Sequence, residues 1–303
     1  MGIDWHTARA LIGAHGTGVK FGSTATLGRQ NLYVSMQAIA GFYREYGLSG
    51  GPTLDMLADR PEYADDLFKL LGASRYVPID ASAYEGAVEV HDMNSPIPDR
   101  LHKAFDVVVD GGTLEHVFNF PVAIKNAMEM VNIGGHLFLQ TPINNFCGHG
   151  FYQFSPELFY RVLTPENGFQ IVRMLAYESF PFSQWYEVAD PAQLCGRVEI
   201  VDSRHRILLL VHAQRADDRV PFAQTPQQSD YAATWLGTQR NESSSSRKFG
   251  IRRQPSLMLR TMWATLRILG RTGRQVVASQ QARYQNRQLA LDNQPDAFRR
   301  VDK

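Results

Sequence analysis

The stretch from Phe105 to Pro142 constrains this fold more than any other part of the chain. It opens with FDVVV (105–109), a β-branched run of the kind that forms strands buried on both faces. Asp110-Gly111-Gly112 interrupts it. Residues 121–131, PVAIKNAMEMV, then space Val122, Ile124, Met128 and Val131 as an amphipathic helix does, with Pro121 suited to the first turn. Asn132-Ile133-Gly134-Gly135 ends the helix, and HLFLQTP (136–142) is the next strand. Strand, helix, Gly-Gly, strand is one βαβ crossover, and crossovers of this kind build parallel sheets.

The same grammar recurs on both sides. A helical stretch at 61–71 stops at Gly72, and RYVPID closes as a strand on Asp80. GAVEVHDMN alternates Val88 and Val90 with Glu89 and His91 and ends on Asp92. Ser155-Pro156-Glu157 combines an N-cap serine, a first-turn proline and a first-turn acid, which predicts a helix to about Leu163. FQIVRMLAY (169–177) and RILLLVHAQ (206–214) supply two final strands. The expectation is a doubly wound α/β domain over 1–215, with its core at about 20–215 and a mostly parallel sheet. Residues 216–256 are polar, include Ser243–Ser246 and read as a linker; 257–303 read as a basic helical tail.

At 303 residues with 44% hydrophobic and 20% charged residues, the chain can bury a sizeable core. No run approaches the roughly 18 apolar residues of a membrane span. The start, MGIDWHTARALIGAHG, lacks the basic and apolar blocks of a signal peptide, which makes cytoplasmic the expected location. Two cysteines, Cys147 and Cys195, give neither a disulfide framework nor zinc-like spacing.

Ligands of open parallel sheets bind beyond the carboxyl ends of the strands. Asp80, Asp92 and Asp110 each close a strand-like run, where an acid accepts ribose hydroxyls or an adenine amino group, or else caps the following helix. FDVVVDGGTLEHV, a helix and NIGGHLFLQTP together resemble the second half of a class I S-adenosylmethionine-dependent methyltransferase, over roughly residues 75–180. The resemblance implies a Rossmann-like methyltransferase fold and S-adenosylmethionine as cofactor. Asp80 matches the ribose-binding acid, Asp92 the acid on the adenine side, and Gly111 and Gly112 the wall beside the methionine, with Asp110 ending that strand. Glycines there let the backbone approach a ligand that a Cβ would exclude.

The family's first strand opens into a Gly-x-Gly-x-Gly turn, and this chain has none. Two segments compete for that place: TATLGRQ (24–30), with the single Gly28, and PTLDMLADRPEY (52–63), which lies at the better distance from Asp80. Some family members hold a divalent metal through an acid three residues before a Glu-His pair. Here that position is Gly112, ahead of Glu115-His116, so no metal site is expected.

His116 suits a general base or a packing role at the helix start. In CGHGFYQFSPELFY (147–160), glycines lend freedom to a loop carrying His149 and Tyr152 as candidate acceptor contacts, His149 also as a catalytic group. Phe151 and Phe154 suit that loop or a staple under the next helix. Cys147 reads as a small residue without an activated thiol. In LMLRTMWATLRILGRTGR (257–274), an apolar arc lies beside an arginine stripe. That pattern fits a helix in an anionic membrane interface, peripheral at the inner face, and equally one docked on the domain or on a second subunit. Nucleic acid ranks behind both, since no recognised module accompanies the stripe. The leading expectation is methyl transfer to a small-molecule or glycan-like acceptor. The alternative is a methyltransferase-like binding or scaffold module without activity, which the missing glycine turn favours.

Overall fold

The computed structural model describes residues 2–194, 198, 200, 203–235 and 296–301. The chain divides into two compact units, Met1–Tyr231 with Ala290–Lys303, and Ala232–Leu289. The first carries the architecture that follows. Its strands are β1 (Gly2–Ile3), β2 (Ser23–Leu27), β3 (Asn31–Leu32), β4 (Arg75–Asp80), β5 (Glu89–Val90), β6 (Phe105–Gly111), β7 (Val131–Asn144), β8 (Phe169–Glu178), β9 (Tyr186–Val188), β10 (Ile207–Arg215) and β11 (Phe298–Arg300). Its helices are α1 (Trp5–Gly16), α2 (Met36–Glu45), α3 (Asp65–Leu70), α4 (Phe120–Met130), α5 (Pro156–Val162) and α6 (Pro191–Leu194).

Nine strands form the main sheet in the order β11-β9-β8-β10-β7-β6-β2-β4-β5. From β5 to β7 every neighbour is parallel, and β10 runs antiparallel to both β7 and β8. The sheet is therefore α/β, doubly wound and mostly parallel. Chain direction across it reverses between β2 and β6, the switch point where such sheets open a crevice. The alternation of β6 explains its two-sided burial. Val107 and Val109 join Leu11, Ile12, Ile39, Phe42 and Phe68 in the core under α1–α3, while Val108 points the other way; all three valines are 0% exposed. On the α4 side, Ala123, Ile124, Ala127 and Met128 are buried.

α1 is fastened as much by polar contacts as by apolar ones. Asp4 caps it by accepting from Thr7 N at 2.7 Å, and its other oxygen accepts from Tyr177 Oη at 3.1 Å. His6 Nδ1 accepts from Trp185 Nε1 at 2.6 Å, so Nε2 carries the hydrogen and donates to the Phe180 carbonyl at 2.9 Å. Burial lowers the His6 pKa, in keeping with a neutral ring. Thr7 Oγ1 donates to Gln140 Oε1 on β7.

The structure starts its packed elements before residue 20, through β1 and α1, and returns at β11 to extend the sheet edge beside β9. Residues 298–300 are therefore strand, not helix: Phe298 is 2% exposed, and its apolar ring belongs under the sheet edge. The 178–205 connection carries β9 and α6. The strand expected to end on Asp92 stops at Val90. Segment 257–274 and Cys195 lie outside the described residues, while Cys147 is exposed and free. Among the described residues, no helix is long and apolar enough to cross a membrane.

One half-buried pair sets an acid sensitivity. His212 Nε2 and His136 Nδ1 lie 3.0 Å apart, and the His212 ring stacks on Phe138 at 4.1 Å. Burial, then the His136 neighbour, lowers the His212 pKa from 6.5 to about 3. Its ring stays neutral in the fold while the unfolded chain takes up a proton, so stability is full above about pH 6.5 and falls as pH drops toward about 3. His212→Gln should flatten that decline by up to about 1.4 kcal/mol per pH unit. Denaturant unfolding at a series of pH values would show this; parallel curves for the two proteins would contradict it.

Candidate functional site

The switch point is organised around the end of β2. The Leu27 carbonyl accepts from Thr113 Oγ1 at 2.6 Å and from the Gln30 amide, and Gly28 N donates to the Ile79 carbonyl of β4 at 2.6 Å. Gly28 has φ +74°, where a side chain is strained, and a Cβ there would stand 3.2 Å from Thr113 Oγ1 and 3.6 Å from Asp80 Oδ2. TATLGRQ is thus the first strand and turn. PTLDMLADRPEY is not: it holds a short 3-10 turn, Met56–Ala58, none of whose residues is buried, and a single bridge from Tyr63 to Asn31, but no strand of the main sheet. Two prolines and no β-branched run leave that segment unable to join a central strand. Asp80, half-buried, ends β4 directly beside the Gly28 turn.

The other expected cofactor residues divide. Asp92 is exposed and accepts from Asn94 N at 2.9 Å and Asn94 Nδ2 at 2.8 Å, bonds that hold its pKa low. Asp110 is fully buried and turned into its own backbone, accepting from Thr113 N at 2.7 Å. With Leu114 N as a second, longer donor, it braces the start of the 3-10 turn Leu114–His116. Gly111 does need to be small, but the neighbour it admits belongs to the chain itself. A Cβ there would fall 2.2 Å from Gln30 Oε1 and 3.3 Å from the Gly2 backbone. Gly112 has φ +98° and faces Glu115 Oε1, 3.1 Å from where its Cβ would be. Gln30 stands where a second glycine of a Gly-x-Gly turn would be. Its Oε1 is buried without a hydrogen-bond partner.

Beside this turn the structure gathers Glu115, His116 and His149. Glu115 Oε1 lies 3.5 Å from His149 Nε2, and the two imidazole rings meet edge to face at 4.9 Å. The loop after β7 is stitched to the Glu115 turn: Phe151 N and Tyr152 N both donate to the Glu115 carbonyl, at 2.9 and 3.2 Å. Gly150 permits this approach, since a Cβ there would stand 2.8 Å from that carbonyl oxygen. Tyr152 spends its hydroxyl on the Phe118 carbonyl at 2.7 Å and stacks on Phe154, so it fastens the loop. Phe154 is buried, as the staple reading expects, while Phe151 is 65% exposed and meets the exposed Phe118 at 5.7 Å. Burial raises the pKa of Asp110 and of Glu115, the latter further through the Asp110 charge. Burial lowers the pKa of His116 and His149, leaving both imidazoles neutral at pH 7. Sequence reasoning singled out both histidines but could not see that they meet, because a loop closure brings them together.

A cleft of about 380 Å³ opens elsewhere, near the amino-terminal half of β8, lined by Gly13, Tyr46, Phe138, Arg173, Trp185 and His212. It contains none of the strand-end acids.

The packing at Gly111 is testable. Its backbone tolerates alanine, and only the Gln30 amide and Gly2 are in the way. Gly111→Ala should cost about 1–3 kcal/mol of stability. Adding Gln30→Ala should recover about 1 kcal/mol of that as coupling between the pair. A double-mutant cycle by denaturant unfolding measures it; strictly additive losses would place the two residues out of contact.

No protein-family model matches this chain, and no curated protein does. Among solved structures, the chain is similar to the branched-chain polyamine synthase from Thermus thermophilus, in complex with N4-aminopropylspermidine and 5'-methylthioadenosine, at 14% identity and TM-score 0.38 over 75% of this chain. It is also similar to a trans-methyltransferase, CalH, in complex with SAH, at 14% identity and TM-score 0.36 over 69% of this chain. A third is a putative S-adenosylmethionine-dependent methyltransferase from Listeria monocytogenes, at 13% identity and TM-score 0.37 over 69% of this chain and 99% of that one. The chain spans 60% and 55% of the length of the first two. By its own strand order and crossovers, it has the doubly wound Rossmann-like fold that the resemblance to class I methyltransferases implies.

Proposed function

We propose that this chain is an S-adenosylmethionine-dependent methyltransferase acting on a small-molecule or glycan-like acceptor. One observation carries the reading: at the switch point, the left-handed Gly28 turn lies against Asp80 on the neighbouring strand end, with Glu115, His116 and His149 grouped beside the next. The residues fit the nucleoside end of the cofactor. Asp80 would accept the ribose hydroxyls, and the missing Cβ of Gly28 leaves room above the turn. At the methionine end, Gln30 Oε1 is a buried acceptor lacking a donor, and an amino group is the kind of donor it lacks. The bound cofactor would supply an electrophilic methyl group. The chain's own residues would align an acceptor in line with it, and alignment does most of the work in such a displacement. The neutral imidazoles of His116 and His149, together with exposed Phe118 and Phe151, supply a polar centre and an apolar rim on the acceptor side.

A second reading has its own support. Gln30 and Gly2 pack where the methionine wall would face a ligand, which favours a methyltransferase-like binding module whose seat is closed by the chain itself. Titration calorimetry with S-adenosylmethionine and S-adenosylhomocysteine separates the two. The methyltransferase reading expects saturable binding that Asp80→Ala weakens about 10- to 100-fold, the worth of a charged hydrogen bond. The melting temperature should shift by no more than about 2 °C, because a half-exposed carboxylate contributes little to the core. Absence of binding in folded wild-type protein would leave only the module reading.

A further inference from the structure

We infer that Glu115, His116 and His149 form a site for a divalent transition-metal ion. One carboxylate and two imidazoles are the donor set of His₂Glu zinc centres and of two-His-one-carboxylate iron sites, and they suit zinc, cobalt, iron or manganese better than magnesium or calcium. All three ligand atoms lie within 4.8 Å of one another. The 3.5 Å from Glu115 Oε1 to His149 Nε2 is long for a hydrogen bond, but it matches two donors around one ion. Bonds of about 2.0–2.1 Å at the tetrahedral angle put neighbouring donors roughly 3.4 Å apart.

A second observation points to a cation independently of that clustering. Glu115 is 1% exposed, and its Oε2 has no hydrogen-bond partner. Burying a carboxylate oxygen unpaired is costly, and such groups in folded proteins are paired or coordinate metals. His116 on this turn and His149 on the loop after β7 are both open to solvent, His149 with 43% of its side chain exposed, so an ion has a route in. The backbone is arranged beforehand. Asp110 holds the Leu114–His116 turn through the Thr113 N–H, and the Glu115 carbonyl pins the loop that carries His149. Looking upstream from the Glu-His pair finds only Gly112; the third ligand comes from the following loop.

Three protein ligands leave at least one position open, the arrangement of centres that bind a substrate atom and not of purely structural ones. That position would take an oxygen or nitrogen of the acceptor and lower its pKa, so that its proton could pass to solvent water and neither histidine need act as the base. The metal site stands on the geometry alone; its use in holding an acceptor rests on the methyltransferase reading.

The test uses full-length protein without a polyhistidine tag, stripped by a chelator and titrated with Zn²⁺ and separately with Co²⁺. One ion per chain is expected, with visible absorption bands from bound Co²⁺. Glu115→Gln and His149→Ala should each weaken binding by at least about 100-fold, beyond what loss of a supporting residue costs. His149 sits on an exposed loop, so its variant keeps the test open should the buried Glu115 variant fail to fold. Wild-type protein that binds neither ion, or a folded His149→Ala that binds as tightly as wild type, would overturn the inference. Calorimetry with S-adenosylhomocysteine on the same stripped samples keeps the two ideas apart. Metal binding without nucleoside binding upholds this site and rejects the methyltransferase reading, and the opposite pattern does the reverse.

Discussion

The Leu27 carbonyl, at the end of the central parallel strand, is the contact on which the geometry of the candidate site depends. It accepts from Thr113 beyond one neighbouring strand and from Gln30 of its own turn, while the next amide, that of Gly28, donates to the other neighbour. Three strand ends are thereby locked at one point, and a residue there moves only if all of them do. Thr113 in turn gives its N–H to Asp110, which fixes the turn bearing Glu115 and His116. The charge-bearing end of the sheet is thus held by a chain of short polar contacts built over an apolar floor of valines.

Much of the sheet was legible because buried parallel strands are β-branched runs with nothing else to be. RYVPID is strand over all six of its residues, and the helix beginning at Ser155-Pro156 starts where its cap and proline place it. The first helix escaped notice for a physical reason. His6 and Thr7 are buried polar residues whose partners, Trp185 and Gln140, lie far along the chain, so Trp5–Gly16 does not show a clean apolar face. The second helix did leave a signal: Ser35 as a cap, then Met36, Ile39, Phe42 and Tyr43 at helical spacing, all buried.

The site was legible by residue but not by arrangement. Asp80, Gly28, His116 and His149 could be singled out because each is an unusual residue at a strand end or in a loop. That Gln30 fills the space beside Gly111, or that His149 reaches Glu115, depends on how a turn and a loop close in three dimensions. Spacing along the chain carries no trace of such closures. The choice between the two first-strand candidates was likewise decided by tertiary pairing. Ser23–Leu27 is flanked by β4 and β6 on both sides, which a distance count along the chain cannot reveal.

The two margins of the sheet bear on how the molecule meets copies of itself. At one margin stands β5, only two residues long; at the other, β11, whose Arg299 and Arg300 are exposed. A long, flat, uncharged margin invites another chain to add a strand, and short or charged margins resist it. Phe298–Arg300 covers β9 with the chain's own residues and presents guanidinium groups outward, one of them paired with Glu187. Among the described residues, then, growth of the sheet from molecule to molecule is the least favoured route to self-association.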